Sequence, residues 1–362
     1  MRRVLIYTLA VLALAAPTLV RPAYADTHSQ AQLPRQKAGQ PPYPASRLVS
    51  GIAWDKSTYG NAGAGGDIWS NTTGPGGVVY AAWGDGAIGC PGKVSYGLAK
   101  LTGGPSTHLQ LVSCGPPGFG KGKLSSLLAI GTTLYAVANV QDKPWPDNSI
   151  GIWRSADGGK TWQRSSWTFN GTDLRPNSFA NFGAGYAGSR DSYVYLTAIA
   201  PTSSAKSFYL LRAPKDQLAN KAAYQYFSGT PTSPAWSASR SGAVPVFTDA
   251  NGVSGASIVY DAAIHRYVLT LGHGSDAGNL GIFEAPEPWG PWSTVAYEDR
   301  WLGINSGEYL GVRMPSAWIS GGGLTVWAVF GCYGCGQPFD DHYNLIRGTF
   351  QTVARKASAV AP

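Results

Sequence analysis

Short hydrophobic runs follow one another along the chain from about residue 47. The runs are rich in Val, Ile, Leu, Tyr and Trp, and they are separated by Gly, Pro, Asn and Asp. Runs of this length, bounded by turn-forming residues, indicate β-strands. Long segments rich in Leu, Glu and Lys are scarce, which excludes a helix bundle. The pattern therefore predicts an all-β fold.

The predicted strands recur in pairs, five times over. The first runs are Val78–Trp83, Leu134–Asn139, Tyr193–Ala198, Arg266–Leu271 and Leu324–Phe330. The second runs carry a charged residue at a matching place, and these residues lie 54, 58, 72 and 63 positions apart: Lys100, Arg154, Arg212, Glu284 and Arg347. Five repeats of three to four strands predict a five-bladed β-propeller, with a β-sandwich or two stacked barrels as alternatives.

The two ends of the chain differ from this repeating part. Residues 1–25 are predicted to be a secretory signal peptide, with Arg2 and Arg3 before an apolar run and Ala23-Tyr24-Ala25 as the cleavage site. The alternative is an uncleaved membrane anchor. Residues 26–46 are predicted to be a flexible lead segment, 47–352 the propeller and 353–362 a tail. We expect a secreted protein without membrane contact after cleavage.

Composition narrows the class of partner. Only 13% of the residues are charged, against about 25% in average globular chains. The formal net charge is +8, but the basic residues are scattered, whereas nucleic-acid binding needs a basic stripe. We therefore expect no nucleic-acid partner. We also expect a monomer; a polysaccharide or oligosaccharide partner follows from the acidic residues Asp67 and Asp85 and not from composition.

Four cysteines remain after the predicted signal peptide. In an exported chain they are expected to form disulfides, and sequence proximity favours Cys90–Cys114 and Cys332–Cys335 over the other pairings. The second pair also has the spacing of a redox or zinc motif. A zinc site needs further ligands, of which only His342 is near. A structural disulfide is therefore preferred.

One segment resembles the Asp-box, S-x-D-x-G-x-T-W, of sialidase propellers. It runs from Ser155 to Trp162 and matches every defined position. In such a turn the Ser and Asp side chains bind backbone N–H groups while Trp packs beneath. We interpret Asp157 as structural.

Two acidic residues stand where neighbouring strands begin and end. Asp67 lies in Gly66-Asp67-Ile68-Trp69, and Asp85 lies in Trp83-Gly84-Asp85. Adjacent antiparallel strands place such positions at one end of a blade. Two facing carboxyl groups are what glycoside hydrolysis requires, and their repulsion and burial separate their pKa values. The alternative is that both are turn aspartates beside glycines.

Further residues are candidates for binding a sugar. Arg190 and Asp191 either form an ion pair that locks a blade, or they supply a substrate contact or a third carboxylate. Glu308 is a reserve acid or base, and with Arg313 it is expected to approach Asp67. His273 follows a strand in the position that Asp85 occupies in the first repeat, so it is expected to orient a sugar hydroxyl. Four aromatic rings are predicted to stack on sugars: Trp69, Trp83, Tyr186 and Tyr309.

No cofactor is expected. The sequence has no dinucleotide fingerprint, phosphate-binding loop, nucleophile elbow or EF-hand loop. The predicted chemistry needs no metal. The sequence leaves open whether a structural cation lies in the propeller channel.

Residues 47–352 also resemble a secreted bacterial family long known only as a domain of unknown function. The likeness rests on the segments 66–69, 80–86, 181–191, 212–216, 285–292 and 314–318. Members of that family include endo-D-arabinofuranases, glycoside hydrolases that act on mycobacterial cell-wall arabinan. The resemblance implies that the family's acidic pair maps onto Asp67 and Asp85. The loops that carry Cys90, Pro91 and Cys332–Cys335 depart from the family pattern.

The sequence thus predicts a glycoside hydrolase that cleaves a polysaccharide, with an arabinofuranan as the favoured substrate. One alternative is a polysaccharide lyase on the same scaffold, in which His273 and a Tyr abstract a proton with help from Lys123 or Arg190. The other is a propeller that binds carbohydrate without catalysis.

Overall fold

A computed structural model describes residues 39–143, 148–171, 173–200, 205–274 and 278–353. These residues lie within one compact unit, Gln36–Pro362. The predicted signal peptide, most of the predicted lead and the tail beyond Val353 lie outside the described residues.

The described chain consists of β-strands joined by turns, with six single-turn 3-10 helices and, in the described ranges, no α-helix. This confirms the all-β class. The 3-10 helices are Pro75–Gly77, Ala184–Tyr186, Lys221–Ala223, Arg240–Gly242, Trp301–Gly303 and Ser316–Trp318.

Two sheets near the start of the chain each have four antiparallel strands in chain order. The first consists of β2 (Asp67–Thr73), β3 (Val79–Gly84), β4 (Gly97–Leu101) and β5 (Gln110–Cys114). The second consists of β6 (Lys123–Ile130), β7 (Thr133–Asn139), β8 (Ile150–Ser155) and β9 (Gln163–Arg164). These strands are two to eight residues long, and a glycine directly follows β2, β5 and β6, as the sequence pattern predicts for turns.

A third sheet contains two antiparallel groups that share a short parallel pairing. The first group is β10 (Arg175–Asn181), β11 (Tyr193–Ile199), β12 (Ser207–Pro214), β13 (Gln225–Phe227), β14 (Trp236–Ser237) and β15 (Pro245–Thr248), which pairs with β12. The second is β16 (Ser254–Asp261), β17 (Arg266–Gly272), β18 (Leu280–Ala285) and β19 (Ser293–Glu298). The two groups join where Ala180 pairs with Ile258 and Asn181 pairs with Val259.

The last sheet combines both ends of the described chain. It contains β20 (Glu308–Arg313), β21 (Thr325–Tyr333), β22 (His342–Thr352) and β1 (Val49–Ala64). The strand β1 is antiparallel to β22, with Val49 opposite Thr352 and Ala64 opposite His342. The first described strand is thereby held by the last one.

The first strands of the five antiparallel groups contact one another in sequence. β2 contacts β6, β6 contacts β10, β10 contacts β16, β16 contacts β20, and β20 contacts β2. The turn between β2 and β3 also lies against the turn between β10 and β11. These two turns therefore lie on the same side, at the end of the groups opposite the starts of β2 and β10. The five-blade count stays a prediction.

Aromatic side chains fill the space between neighbouring sheets. Trp69 and Trp83 are fully buried, and their rings lie 5.3 Å apart. Phe119 stacks on Tyr96 at 4.1 Å and on Trp153 at 4.9 Å. Burying such a ring contributes about 2 kcal/mol or more, so these large flat side chains supply much of the core.

Residues 39–46, the described part of the predicted flexible lead segment, pack against the strands that follow. The Tyr43 ring lies 5.0 Å from Phe247, and the Ser46 hydroxyl donates to Glu284 at 2.8 Å. The Ser46 backbone N–H donates to the Thr294 carbonyl at 2.7 Å. For these residues the structure differs from the predicted flexible segment, because the Tyr43 ring packs against β15 and the Ser46 hydroxyl binds β18.

Both predicted disulfides are present. Cys90 is bonded to Cys114, and Cys332 is bonded to Cys335. The first links the loop between β3 and β4 to the end of β5, and the second links β21 to the segment that follows it. In the described ranges, no helix has the length and apolar character needed to span a membrane.

Candidate active site

The carboxyl group of Asp67 lies at the start of β2 in a crowded, half-buried position. Asp67 pairs with Gly84 of β3. A Cβ atom on Gly84 would lie 2.8 Å from Asp67 Oδ1, so only glycine leaves room for this carboxyl. Asp67 Oδ1 is buried and has no hydrogen-bond partner among the described residues.

The backbone after Asp67 leaves the regular strand conformation. Ile68 and Trp69 have φ values of 69° and 46°, and the register shifts between Asp67 and Ser70. Positive φ is uncommon for bulky residues and is strained for a β-branched one such as Ile. A β-bulge at this point changes the direction of the side chains on the bulged strand, and such strain clusters at functional sites.

Asp85 follows β3 directly after Gly84 and lies beside Asp67. Its φ of 47° is left-handed, a conformation that Asp tolerates better than most residues. The Lys123 ammonium, at the start of β6, forms an ion pair with Asp85 Oδ2. The side chains of Lys123 and Asp85 keep 40% and 30% of their surface exposed, so this pair is open to solvent. The predicted proximity of the two aspartates is therefore present in the structure.

The environment of Asp67 favours its protonated form. The pKa of Asp67 is raised to about 7, mainly by burial and also by the charges of Asp85 and Asp341, while the charges of Lys123 and Lys93 oppose the rise. Near neutral pH, Asp67 is thus partly protonated beside an ion-paired carboxylate. A buried carboxyl group with a raised pKa is a feature of general acid sites.

Asp341 supplies a third carboxyl group beside Asp67, and it was not among the site residues predicted from the sequence. Its backbone carbonyl accepts hydrogen bonds from the N–H groups of Gly65 and Gly66, at 3.0 and 3.2 Å. Burial raises its pKa, with a further contribution from Asp340. The only local signal is two adjacent acidic residues before the last repeated run. We call Asp67, Asp85 and Asp341, with Lys93 and Lys123, the acidic cluster.

Arg313 lies close to Asp67, as predicted, but its side chain is buried and both of its Nη groups are engaged. Arg313 Nη1 donates to the Ile68 carbonyl at 2.6 Å, and Nη2 donates to the Ser125 carbonyl at 3.2 Å. Burial lowers its pKa to about 10. Arg313 therefore ties β20 to β2 and β6 beneath the acidic cluster, and the prediction that it contacts a sugar is wrong.

Four aromatic residues predicted to stack on a sugar do not present a ring face. Trp69, Trp83, Tyr186 and Tyr309 are between 0% and 3% exposed. Trp69 Nε1 donates to the Gly66 carbonyl, and the Tyr309 hydroxyl donates to the Trp301 carbonyl. Tyr186 belongs to the turn on the opposite side from the acidic cluster. These rings are core, so the stacking prediction is wrong for all four.

Arg190 and Asp191 belong to the turn between β10 and β11, away from the acidic cluster. Arg190 donates to the Pro286 carbonyl and to Glu287, both at 2.7 Å. Asp191 accepts from the Tyr193 N–H at 2.8 Å and from the Tyr195 hydroxyl at 2.5 Å. Of the two alternatives for this segment, the structure favours an ion pair between strand groups over a substrate contact.

His273 and Glu308 are the last two residues that were predicted to lie at a sugar-binding site. His273 follows β17, is 4% exposed, and its ring stacks on Tyr297 at 3.5 Å. Burial lowers its pKa. A buried, stacked ring does not reach a substrate hydroxyl, so this prediction is wrong. Glu308 is the first residue of β20, and its backbone pairs with Tyr333.

The predicted Asp-box turn holds its aspartate in structural contacts. Asp157 accepts from the Thr161 hydroxyl at 2.6 Å and from the backbone N–H groups of Thr161 and Lys160. These hydrogen bonds lower its pKa. In the described ranges, the acidic cluster included, no group of three or more His, Cys, Asp or Glu side chains is arranged to hold a metal ion.

A family model described as "Domain of unknown function (DUF4185)" matches residues 125–325. No curated protein matches the sequence. Among solved structures, a Bacteroides ovatus ATCC 8483 protein described as a candidate hydrolase is 12% identical, with a TM-score of 0.52 over 80% of this chain and 87% of that chain. This likeness shows a shared fold.

Two further solved structures have TM-scores below 0.5. The exo-beta-1,3-galactanase of Phanerochaete chrysosporium is 12% identical, with a TM-score of 0.48 over 85% of this chain and 66% of that chain. A GH43 beta-xylosidase/alpha-arabinofuranosidase from a compost metagenome is 13% identical, with a TM-score of 0.49 over 82% of this chain and 95% of that chain.

Proposed function

The chain belongs to the DUF4185 domain family, and on that premise we propose that it is a glycoside hydrolase that acts through Asp67 and Asp85. The observation that carries the proposal is the pair itself. One carboxyl group has a pKa raised to about 7 by burial, and its neighbour is held in an ion pair with Lys123. Glycoside hydrolysis needs a proton donor and a carboxylate acting on the same bond.

The two aspartates take different roles in this proposal. Asp67 carries a proton near neutral pH and gives it to the leaving oxygen as the general acid. Asp85 acts as the base or nucleophile, and Lys123 fixes its position. Asp341 adds negative charge that raises the pKa of Asp67. If Asp85 is the nucleophile, the Asp67 carboxylate then takes a proton from the water that releases the sugar from Asp85, and both groups return to their starting state. If Asp85 is the base, it takes a proton from the water that adds to the sugar, and proton exchange with solvent restores both groups.

The five antiparallel groups are, in this proposal, the five blades of a propeller. The support is that their first strands contact one another from β2 through β20 and back to β2. The acidic cluster then lies where β2 and β6 begin, at one open end of the ring. A site at a channel mouth admits a chain-like substrate from solvent, as a polysaccharide requires.

The proposed substrate is a polysaccharide built of furanosides, with an arabinofuranan as the first candidate, and the proposed location is outside the cell. Support for the substrate comes from the resemblance over residues 47–352, which includes the segments around Asp67 and Asp85. Two disulfides agree with an oxidising compartment.

The test is incubation of the purified chain with a panel of arabinofuranans and other polysaccharides. We expect new reducing ends without the ultraviolet absorbance of an unsaturated uronide. The variants Asp67→Asn and Asp85→Asn should release none, whereas Asp216→Asn, at an exposed position outside the cluster, should be as active as the wild type. Ultraviolet-absorbing products would indicate a lyase instead. Binding without any product would indicate a carbohydrate-binding protein, and either result would refute the proposal.

A further inference from the structure

A small cavity lies among the first strands, on the far side of Arg313 from the acidic cluster. Asn71, from the second half of β2, lines it together with Arg313 at the end of β20 and Ser316 in the turn that follows. The space open to the centre of a water-sized sphere is about 10 Å³. That is room for a single particle of about the size of a water molecule.

Three buried polar atoms of this lining have no partner among the described residues. They are Arg313 Nε, Asn71 Nδ2 and Ser316 Oγ. Arg313 and Asn71 are each 5% exposed. Buried polar groups are nearly always hydrogen-bonded, so several orphaned atoms around one cavity indicate an occupant. Two of the three are obligate donors, and the hydroxyl is able to donate.

The charge of Arg313 has no counter-ion in the described part of the chain. All of its hydrogen bonds go to backbone carbonyl oxygens, those of Ile68, Leu310, Gly311 and Ser125. None of the ion pairs among the described residues includes it. A buried charge without a partner is expensive, by several kcal/mol in real proteins. A neutral water molecule would satisfy the donors but leave this charge uncompensated.

The two threonine hydroxyls of the lining are already engaged. The Thr72 hydroxyl donates to Asn181 Oδ1 at 2.6 Å and accepts from the Ala129 N–H at 2.9 Å. The Thr73 hydroxyl accepts from the Ala317 N–H at 3.2 Å. The three orphaned donors of this cavity therefore lack a hydrogen-bond acceptor that carries negative charge.

We propose that this cavity is a binding site for a small monovalent anion of the halide class, chloride in practice, held by Arg313 Nε, Asn71 Nδ2 and Ser316 Oγ. The anion neutralises the guanidinium and joins β2, β20 and the turn Ser316–Trp318. It binds the folded chain only, because unfolding separates the three donors. Its effect is consequently on stability, and it is independent of the acidic cluster.

The direct test is a crystal of the wild-type chain grown or soaked in sodium bromide, with diffraction recorded at the bromine absorption edge. We expect an anomalous peak in the cavity, within hydrogen-bonding distance of Arg313 Nε, Asn71 Nδ2 and Ser316 Oγ. Density at that place without an anomalous signal would show water and would overturn the proposal. So would an empty cavity.

The second test measures Tm in sodium chloride or bromide against sodium gluconate at equal ionic strength, since gluconate is too large for the cavity. The wild-type Tm should rise saturably with halide only. Asn71→Leu removes one donor at similar side-chain size and should weaken the apparent halide affinity, whereas Asn305→Leu, the same exchange at an exposed position, should not. Equal Tm in halide and gluconate, or an unchanged halide response in Asn71→Leu, would refute the site.

Discussion

Lys123, the first residue of β6, forms an ion pair with Asp85, which follows β3 in a different sheet. The same ammonium lowers the pKa of Asp67, whereas Asp85 and Asp341 raise it. The proton on Asp67 is therefore controlled by residues from three separate parts of the chain. Removing a positive charge from the acidic cluster should therefore raise the pKa of Asp67, and removing a negative charge should lower it.

The first prediction concerns the two central carboxyl groups. Asp67→Asn and Asp85→Asn should each lower kcat by about 10²- to 10⁴-fold, the usual contribution of a positioned acid or base. Near-normal circular dichroism and thermal unfolding should accompany the loss, since Asn keeps the shape of Asp. Release of reducing ends measures the first effect. Wild-type turnover in both variants would remove these residues from any catalytic role.

The second prediction is a pH dependence of stability that is caused by Asp67. Its pKa in the folded chain is raised to about 7, above the ordinary value of 3.8. The folded state therefore binds the extra proton, and this group's contribution to stability is full below about pH 4 and is lost as the pH rises through about 7. Thermal unfolding from pH 4 to 8 should show a steeper loss of Tm in the wild type than in Asp67→Asn. Parallel curves for the two proteins would contradict the assignment.

The third prediction concerns Lys123. Lys123→Met removes a cation that lowers the pKa of Asp67, so that pKa should rise. If the protonated Asp67 is the catalytic acid, the alkaline limb of the kcat/KM profile moves to higher pH. Lys121→Met, an exposed neighbour two positions away, is the matched control and should leave the limb in place. A shift of equal size in both variants would mean a general charge effect.

The fourth prediction reverses the sign at Asp341. Asp341→Asn removes a negative charge that raises the pKa of Asp67, so the alkaline limb should move to lower pH. The backbone at this position has a left-handed φ of 51°, which Asn adopts readily, so the loop should keep its conformation. A shift towards higher pH would show that Asp341 does not act on Asp67 through its charge.

The proximity of Asp67 and Asp85 followed from strand order alone. The first strand of a hairpin begins where the second ends, and the register confirms that Asp67 pairs with Gly84. Asp341 could not be found in this way. It reaches the same place because its backbone carbonyl binds Gly65 and Gly66, a contact between distant segments with no periodic signal.

The failed aromatic predictions have a common physical cause. A strand pattern predicts that successive side chains point to alternate faces of the sheet. In a layered β protein both faces are buried against other sheets, so the pattern does not show which rings are exposed. Trp69 also follows a bulge, where Ile68 and Trp69 have positive φ and the register shifts. Neither the bulge nor the partner sheet can be read from the residues around Trp69.

The last prediction concerns Arg190, which the sequence analysis left divided between an ion pair and a substrate contact. Its Nη2 lies 2.7 Å from Glu287, and the side chains of Arg190 and Glu287 are 42% and 30% exposed. Exposed pairs contribute about 0.2–1 kcal/mol. Arg190→Gln and Glu287→Gln should each destabilise the chain by that amount, and the double variant by less than their sum. Because the turn that holds Arg190 lies away from the acidic cluster, KM and kcat should not change. An increase in KM in Arg190→Gln, without one in Glu287→Gln, would restore Arg190 as a substrate contact.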